Sequence, residues 1–296
     1  MLYLLFVSLV WAFSFSLIKD QLAGLDSNFV AAARLGLSLL VFLPLLRLRG
    51  ISRKDGLRLA LAGAIQYGLM YVSYIYSFRY LLAYQVALFT IFTPLFVTLI
   101  NDAFRRRFHW ISLLATILAV AGTAVVQQGN LLQPELLRGF LIVQISNVAF
   151  AFGQIYYKEI MRSNPGLQDR NVFGLMYLGG FVAAAIPAAV TAPQTQFSLG
   201  SEQILTLVYL GVIASGVCFF LWNVGARKVN GGTLAIFNNL KIPLAVAVSL
   251  LFFGEQADIP HLLLGGSILL AALALNEWIV RRDTVQRVGI PSPSVK

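Results

Sequence analysis

Two cations, a set of amides and a row of aromatic residues stand within long apolar stretches of this 296-residue sequence. Polar side chains in such stretches are costly and face a cavity or a partner. Lys241 lies about ten residues into its stretch, roughly 15 Å from either end at the helical rise. Arg34 lies about seven residues into another, roughly 10 Å deep, where its long stem could also snorkel to the interface. Gln144, Asn147 and Gln154 fall at i, i+3 and i+10 on one helical face, able to line a cavity or to bond neighbouring helices. Tyr67, Tyr71 and Tyr74 fall at i, i+4 and i+7 beside Gln66, a spacing that serves a pocket wall or plain packing. Trp11 and Trp222 sit mid-stretch, away from the interfacial belts where tryptophan collects, which favours a wall role. Ser14 could line the same space or let two helices approach closely. With Asn223 and Asn238, these groups could hold a small organic molecule: an ammonium for a carboxylate, amides for donors and acceptors, aromatic walls for an apolar body.

Chemistry that transforms a ligand has no comparable set. The two histidines, His109 and His261, are expected at opposite faces of the membrane and cannot share a nucleophile–base site. No Gly-x-x-x-x-Gly-Lys-Ser/Thr loop occurs, and no His/Cys/Asp group has metal-ligand spacing, so neither an enzyme nor a cofactor or metal is expected. The single Cys218, placed mid-helix, rules out an intrachain disulfide framework. A net charge of +10 raises the possibility of nucleic acid, but membrane proteins gather Lys and Arg in loops on one side, and no nucleic-acid partner is expected.

The elements that must position these residues follow from composition. Of the residues, 58% are hydrophobic and 11% charged, about half the charge a water-wetted surface needs. Apolar runs of about twenty residues recur along the chain, each long enough to cross a hydrocarbon core. Strands of a pore would be shorter and alternating, so helices remain as the way to satisfy the backbone in lipid. The sequence predicts an all-α membrane protein with ten spans, near 1–19, 28–46, 58–78, 81–101, 110–127, 137–157, 171–191, 203–225, 231–252 and 261–280. Short loops marked by Gly50, Gly129-Asn130, Asn164-Pro165-Gly166 and Gly231-Gly232 leave no room for a soluble domain. The first stretch lacks a basic leader and a cleavage site, so it reads as a retained span. The basic tail 281–296, with Pro291 and Pro293, is expected to be disordered.

Charge settles the expected orientation. With both termini in the cytoplasm, seventeen Lys and Arg fall in the inner loops and tail, against Lys19, Arg79 and Arg138 at the outer side. Only Arg34 and Lys241 are then left within spans. All twelve acidic residues are expected near one face or the other, which argues against a mid-membrane carboxylate that would couple transport to protons or sodium, although Lys241 could itself exchange a proton.

The halves also echo each other. Ala12-Phe13-Ser14-Phe15 resembles Ala149-Phe150-Ala151-Phe152, Gly63 to Gly68 resembles Gly211 to Gly216, and Pro94 matches Pro243, at offsets of 137, 148 and 149. Five spans per half is odd, so repeats at 1–128 and 137–280 would lie upside down to each other, an arrangement suited to alternating access around a midplane site.

These residues resemble the drug/metabolite transporter superfamily with paired EamA-type domains, over the chain up to about Arg282. Within it the closer likeness is to the biotin-transporting members of enteric bacteria. The likeness is carried by Trp11 to Ser16, Leu22 to Ser27, Arg34 to Leu37, Val41 to Pro44, Val143 to Asn147, Ala214 to Gly216, Trp222-Asn223, Gly231 to Leu234 and Asn238-Asn239. The resemblance implies a multi-pass carrier that takes up biotin across a bacterial cytoplasmic membrane. Relatives of the same fold move amino acids, drugs and other metabolites, so an exporter of such molecules is the alternative. A membrane-embedded binding subunit without transport is a remoter one. Lys241 is the expected partner of a substrate carboxylate, since lysine's charge can be titrated. It could instead face a watery vestibule or donate to backbone carbonyls freed by Pro243.

Overall fold

The computed structural model describes residues 2–106, 110–126, 133–191, 199–228 and 231–288. Among them ten helical rods follow one another: α1 (Leu2–Gln21), α2 (Ser27–Leu45), α3 (Arg53–Ser77), α4 (Ala83–Phe104), α5 (Trp110–Val126), α6 (Pro134–Ser163), α7 (Asp169–Thr191), α8 (Ser201–Lys228), α9 (Gly231–Phe252) and α10 (Ile259–Val288). Seven of these, α1 to α4 and α6 to α8, are long and apolar enough to cross a membrane. Their polarity is that of a lipid-solvated bundle. Leu57, Leu205, Val190 and Leu251 are largely exposed, while Arg34, Lys241, Gln66, Asn147 and Asn223 are buried.

Local chemistry sets the helix ends. The Asp26 carboxylate accepts from the Asn28 and Phe29 amides at 3.0 and 2.9 Å and so caps α2. Ser52 Oγ accepts from the Asp55 amide at 3.1 Å and caps α3, which therefore begins five residues before the expected span. Pro134 starts α6, where its missing N–H costs nothing. At its other end α6 runs six residues past the expected boundary, with Arg162 paired to Glu159 at 2.6 Å on the added turns. The N-terminus of α4 is closed from a distance. Glu255, between α9 and α10, accepts from the Ala83 and Tyr84 amides at 2.8 and 3.0 Å, a carboxylate against a positive helix end.

One expectation for the tail is corrected. Residues 281–288, read as part of a disordered tail, continue α10 as helix, where Arg281, Arg282, Gln286 and Arg287 are good helix formers. Residues 289–296, His109 and the connections at 127–132 and 192–198 lie outside the described residues.

The larger helix pairings recur when the first five helices are exchanged for the last five, although among the described residues α1 also touches α4 with no comparable contact between α6 and α9. Thus α2 packs on α8 as α7 packs on α3, and α1 packs on α9 as α6 packs on α4. The pairs α2–α7, α4–α9 and α5–α10 map onto themselves. Glycine permits the closest of these approaches: a Cβ at Gly63 would stand 1.8 Å from the Met176 carbonyl oxygen, and one at Gly179 would stand 1.9 Å from that of Ala60. Here α3 and α7 touch backbone to backbone, the small-residue packing that membranes favour.

In two places the helical winding widens. Residues 64–69 of α3 and 209–217 of α8 are π-helical, at the segments whose sequences echo each other. Wide turns loosen carbonyls from their usual partners and recur at functional sites. In α8 these carbonyls receive side chains from three other helices. Trp11 Nε1 donates to Ala214 O at 2.9 Å, Ser38 Oγ to Gly211 O at 2.8 Å, and Tyr177 OH to Ser215 O and Gly216 O at 2.8 and 2.7 Å.

Candidate functional site

A cavity opens where α1, α2, α3, α4, α6, α8 and α9 converge. The space between its walls, with the open mouth and its solvent included, is about 530 Å³. Seven of the residues singled out in the sequence line it: Trp11, Ser14, Arg34, Tyr71, Tyr74, Asn147 and Lys241.

Both cations are held, and held differently. Arg34 is 2% exposed, so it does not snorkel to an interface. Its Nε donates to Ser215 Oγ at 3.2 Å and Nη2 to Tyr71 OH at 2.8 Å, with the guanidinium carbon 4.4 Å from the Tyr71 ring centre. Lys241 is 7% exposed. Its Nζ donates to Asn238 Oδ1 at 3.1 Å and stands 5.1 Å from the Trp11 ring centre, rather than serving the backbone near Pro243. Among the described residues no carboxylate lines the space, so two positive groups face it without a counter-charge from that lining.

The walls are aromatic. Trp11 packs against Phe219 and Phe150 at centroid distances of 5.0 and 6.5 Å, and Phe15 meets Tyr74 edge-on at 5.8 Å. Asn147 is 3% exposed and largely committed to the protein. Its Nδ2 donates to Phe89 O and Gln144 Oε1 at 2.9 and 3.0 Å, and its Oδ1 accepts from Thr93 Oγ1 at 3.0 Å. One lone pair of Oδ1 remains for a ligand N–H. Ser14 lines the cavity while returning its hydroxyl to Val10 O at 3.0 Å.

Four other candidates, Gln66, Tyr67, Trp222 and Asn223, are buried behind the lining rather than part of it, which corrects the expectation that they line the cavity; the Trp222 ring centre stands 5.2 Å from that of Trp11. Asn223 Nδ2 donates to Tyr67 OH at 2.7 Å, Gln66 Nε2 to Asn223 Oδ1 at 3.3 Å, and Trp222 Nε1 to Gln154 Oε1 at 3.1 Å. The π turn explains why Tyr67 parts from Tyr71 and Tyr74. It inserts extra winding between residues 64 and 69, so the regular i, i+4, i+7 stripe breaks there. Tyr67 instead stacks on Tyr177 at 5.3 Å. Gln144 and Asn238 sit one bond behind the lining, as partners of Asn147 and Lys241.

The lining also includes Phe15, Met70, Thr90, Ser146, Phe150 and Phe219, which were not among the sequence candidates. Ser146 and Phe150 flank Asn147 at i−1 and i+3 and were readable from its face. Thr90 and Phe219 carry no signal that separates them from other residues of an apolar helix.

The sequence matches the EamA-like transporter family over residues 1–127 and 137–277. A probable biotin transporter of Pseudomonas aeruginosa is 40% identical over 278 residues, covering 93% of this chain and 97% of that one. Biotin transporters of Salmonella typhimurium and Escherichia coli K12 are each 38% identical, covering 95% of this chain and 94% of theirs. Among solved structures, a crystal structure of another protein superposes with a TM-score of 0.68 over 95% of this chain and 98% of that one. At 16% identity it speaks for the fold alone.

Proposed function

The chain belongs to the EamA-like transporter family, and on that premise we propose that it takes up biotin across a bacterial cytoplasmic membrane by alternating access. The family is one of transporters, not enzymes. Relatives named as biotin transporters, alike over nearly the full length, support the substrate. The observation that carries the reading is the cavity lining itself: two buried cations, no carboxylate and aromatic walls.

Biotin offers a carboxylate, a ureido ring with two N–H donors and one strong acceptor, and an apolar bicyclic body. Lys241 has one of its three protons on Asn238 and the others free for the carboxylate. Asn147 Oδ1 accepts a ureido N–H, and Trp11, Phe15, Phe150 and Phe219 enclose the rings. An α-amino acid would bring an ammonium into a space already holding two cations, which disfavours the amino-acid exporter. The exchange-symmetric helix pairing and the bias of Lys and Arg to one side support two inverted five-helix halves, 1–128 and 137–280, with both termini in the cytoplasm.

Counterflow tests the function directly. Liposomes carrying the purified protein and loaded with unlabelled biotin are expected to accumulate labelled biotin transiently from outside. Binding without such accumulation would make the protein a receptor. Accumulation of labelled amino acids with indifference to biotin would transfer it to the exporter class.

A further inference from the structure

The hydrogen-bond directions around Arg34 are fixed by elimination. Ser215 Oγ donates its single proton to Leu210 O at 2.6 Å, across the wide turn of α8. It therefore accepts from both its other neighbours, Arg34 Nε at 3.2 Å and Tyr71 OH at 2.8 Å. Tyr71, having given its proton to Ser215, accepts from Arg34 Nη2 at 2.8 Å. Protons thus run from Arg34 through Tyr71 and Ser215 to a backbone carbonyl, and the lateral fork of the guanidinium, Nε with Nη2, is filled. Of the guanidinium nitrogens only Nη1, on the end-on side beside the second proton of Nη2, is buried and without a hydrogen-bond partner among the described residues. An unpaired buried donor of this kind is costly, and a ligand acceptor relieves it.

We propose that Ser215, which does not line the cavity, is a positioning residue that with Tyr71 aims Arg34 Nη1 at the ureido oxygen of the substrate. The inference rests on the reading of the cavity as a biotin site. Of the two-nitrogen forks a carboxylate prefers, the lateral one is closed by Ser215 and Tyr71, and in the end-on one Nη2 already gives one of its two protons to Tyr71. The compact ureido oxygen fits Nη1 at that end, while Lys241 keeps free protons for the carboxylate. Assigning the two cations to the two acceptor ends of one ligand accounts for a second positive group that a monoanion would not otherwise need. Ser215 depends in turn on the π turn, since the carbonyl that takes its proton lies five residues back, at Leu210.

The test compares competition of labelled-biotin counterflow by biotin and by 2-iminobiotin, in which a protonated imine nitrogen replaces the ureido oxygen. In the wild type the imine meets the Arg34 cation, so 2-iminobiotin should compete at least about thirtyfold more weakly than biotin. Arg34→Gln should bring the two to within about threefold, since the like-charge clash is gone. Ser215→Ala and Tyr71→Phe keep the arginine but release it, and each should lower the ratio to below about tenfold. Ser215→Thr, which keeps the hydroxyl, should hold the wild-type ratio. If Ser215→Ala fails to insert, Tyr71→Phe and Arg34→Gln still decide. Equal loss of both ligands in these variants, with the ratio intact, would make the network structural and overturn the proposal. So would an Arg34→Gln protein whose preference shifts between biotin and its uncharged amide, because Arg34 would then hold the carboxylate. A wild-type carrier that exchanges no biotin at all would instead sink the substrate reading on which this rests.

Discussion

Replacing Lys241 by methionine removes one charge from the cavity and little volume, so its effect reads the role of the ammonium. Lys241 is 7% exposed, and its Nζ has one acceptor in Asn238 and the Trp11 ring beneath it. If it meets the substrate carboxylate at about 4 Å, an effective dielectric of about 20 gives an attraction of about 4 kcal/mol. Charge-assisted hydrogen bonds measured by mutation give about 1.5–3 kcal/mol. Between about 2 and 4 kcal/mol, the dissociation constant for biotin should rise roughly 30- to 700-fold. The substitution also strips Asn238 Oδ1 of its donor, but that loss of about 1 kcal/mol falls equally on any ligand. The informative quantity is therefore the ratio between biotin and its uncharged amide, measured by competition on the purified protein. Lys241→Met should collapse the preference for the acid while amide binding moves by no more than about tenfold. Equal weakening of acid and amide, or no weakening of either, would refute the assignment and pass the carboxylate to Arg34.

Three further outcomes are expected. On a Cys218→Ala background, a cysteine at Gln133 should react with an impermeant thiol reagent added outside intact cells and one at Ser52 should not; labelling of Ser52 from outside would reverse the proposed orientation. Asn147→Leu leaves the Phe89 carbonyl and Thr93 hydroxyl without their partner, so the detergent-solubilised protein should lose about 1–3 kcal/mol of stability, read by thermal melting, in addition to weaker biotin binding. A normal melt with normal uptake would show that this joint between α4 and α6 is dispensable. Gly63→Ala, whose Cβ would fall 1.8 Å from the Met176 carbonyl oxygen, should yield little folded protein, whereas Gly166→Ala, with nothing within 4 Å, should express normally.

What the sequence revealed, and what it hid, divides along the range of the forces involved. Hydropathy and loop chemistry are local, so the ten rods were readable to within a few residues. The ends that moved did so through particular groups: Ser52 captured five residues for α3, and the Glu159–Arg162 pair sits on turns that α6 adds beyond its apolar run. The placing of two cations within spans was legible because no other Lys or Arg remained once loops had claimed theirs, but that Arg34 stays buried rather than snorkelling was not. Which amides face the cavity was not legible, since Asn147 and Asn223 have the same chemistry and differ only in which neighbours the fold brings. Tyr67 was misplaced because periodicity assumes uniform winding, and the π turn violates it. Ser215 offered only its place in the repeat, because a serine inside an apolar helix ordinarily bonds back to its own backbone.

The wide turns have an evolutionary consequence. One residue gained or lost within a helix rotates everything beyond it by about 100°. In α3 the face ahead of residue 64 is locked to α7 through Gly63, while Met70, Tyr71 and Tyr74 beyond residue 69 face the cavity. The winding between them therefore works as an index: a single insertion or deletion there would present a new set of side chains to the ligand while Gly63 keeps its place and Gly68 refits against Gly180 and Ala183. Changes of cargo on this scaffold can thus arise through chain length at one turn as well as through substitution, and alignments of its relatives should place their rare intrahelical gaps there.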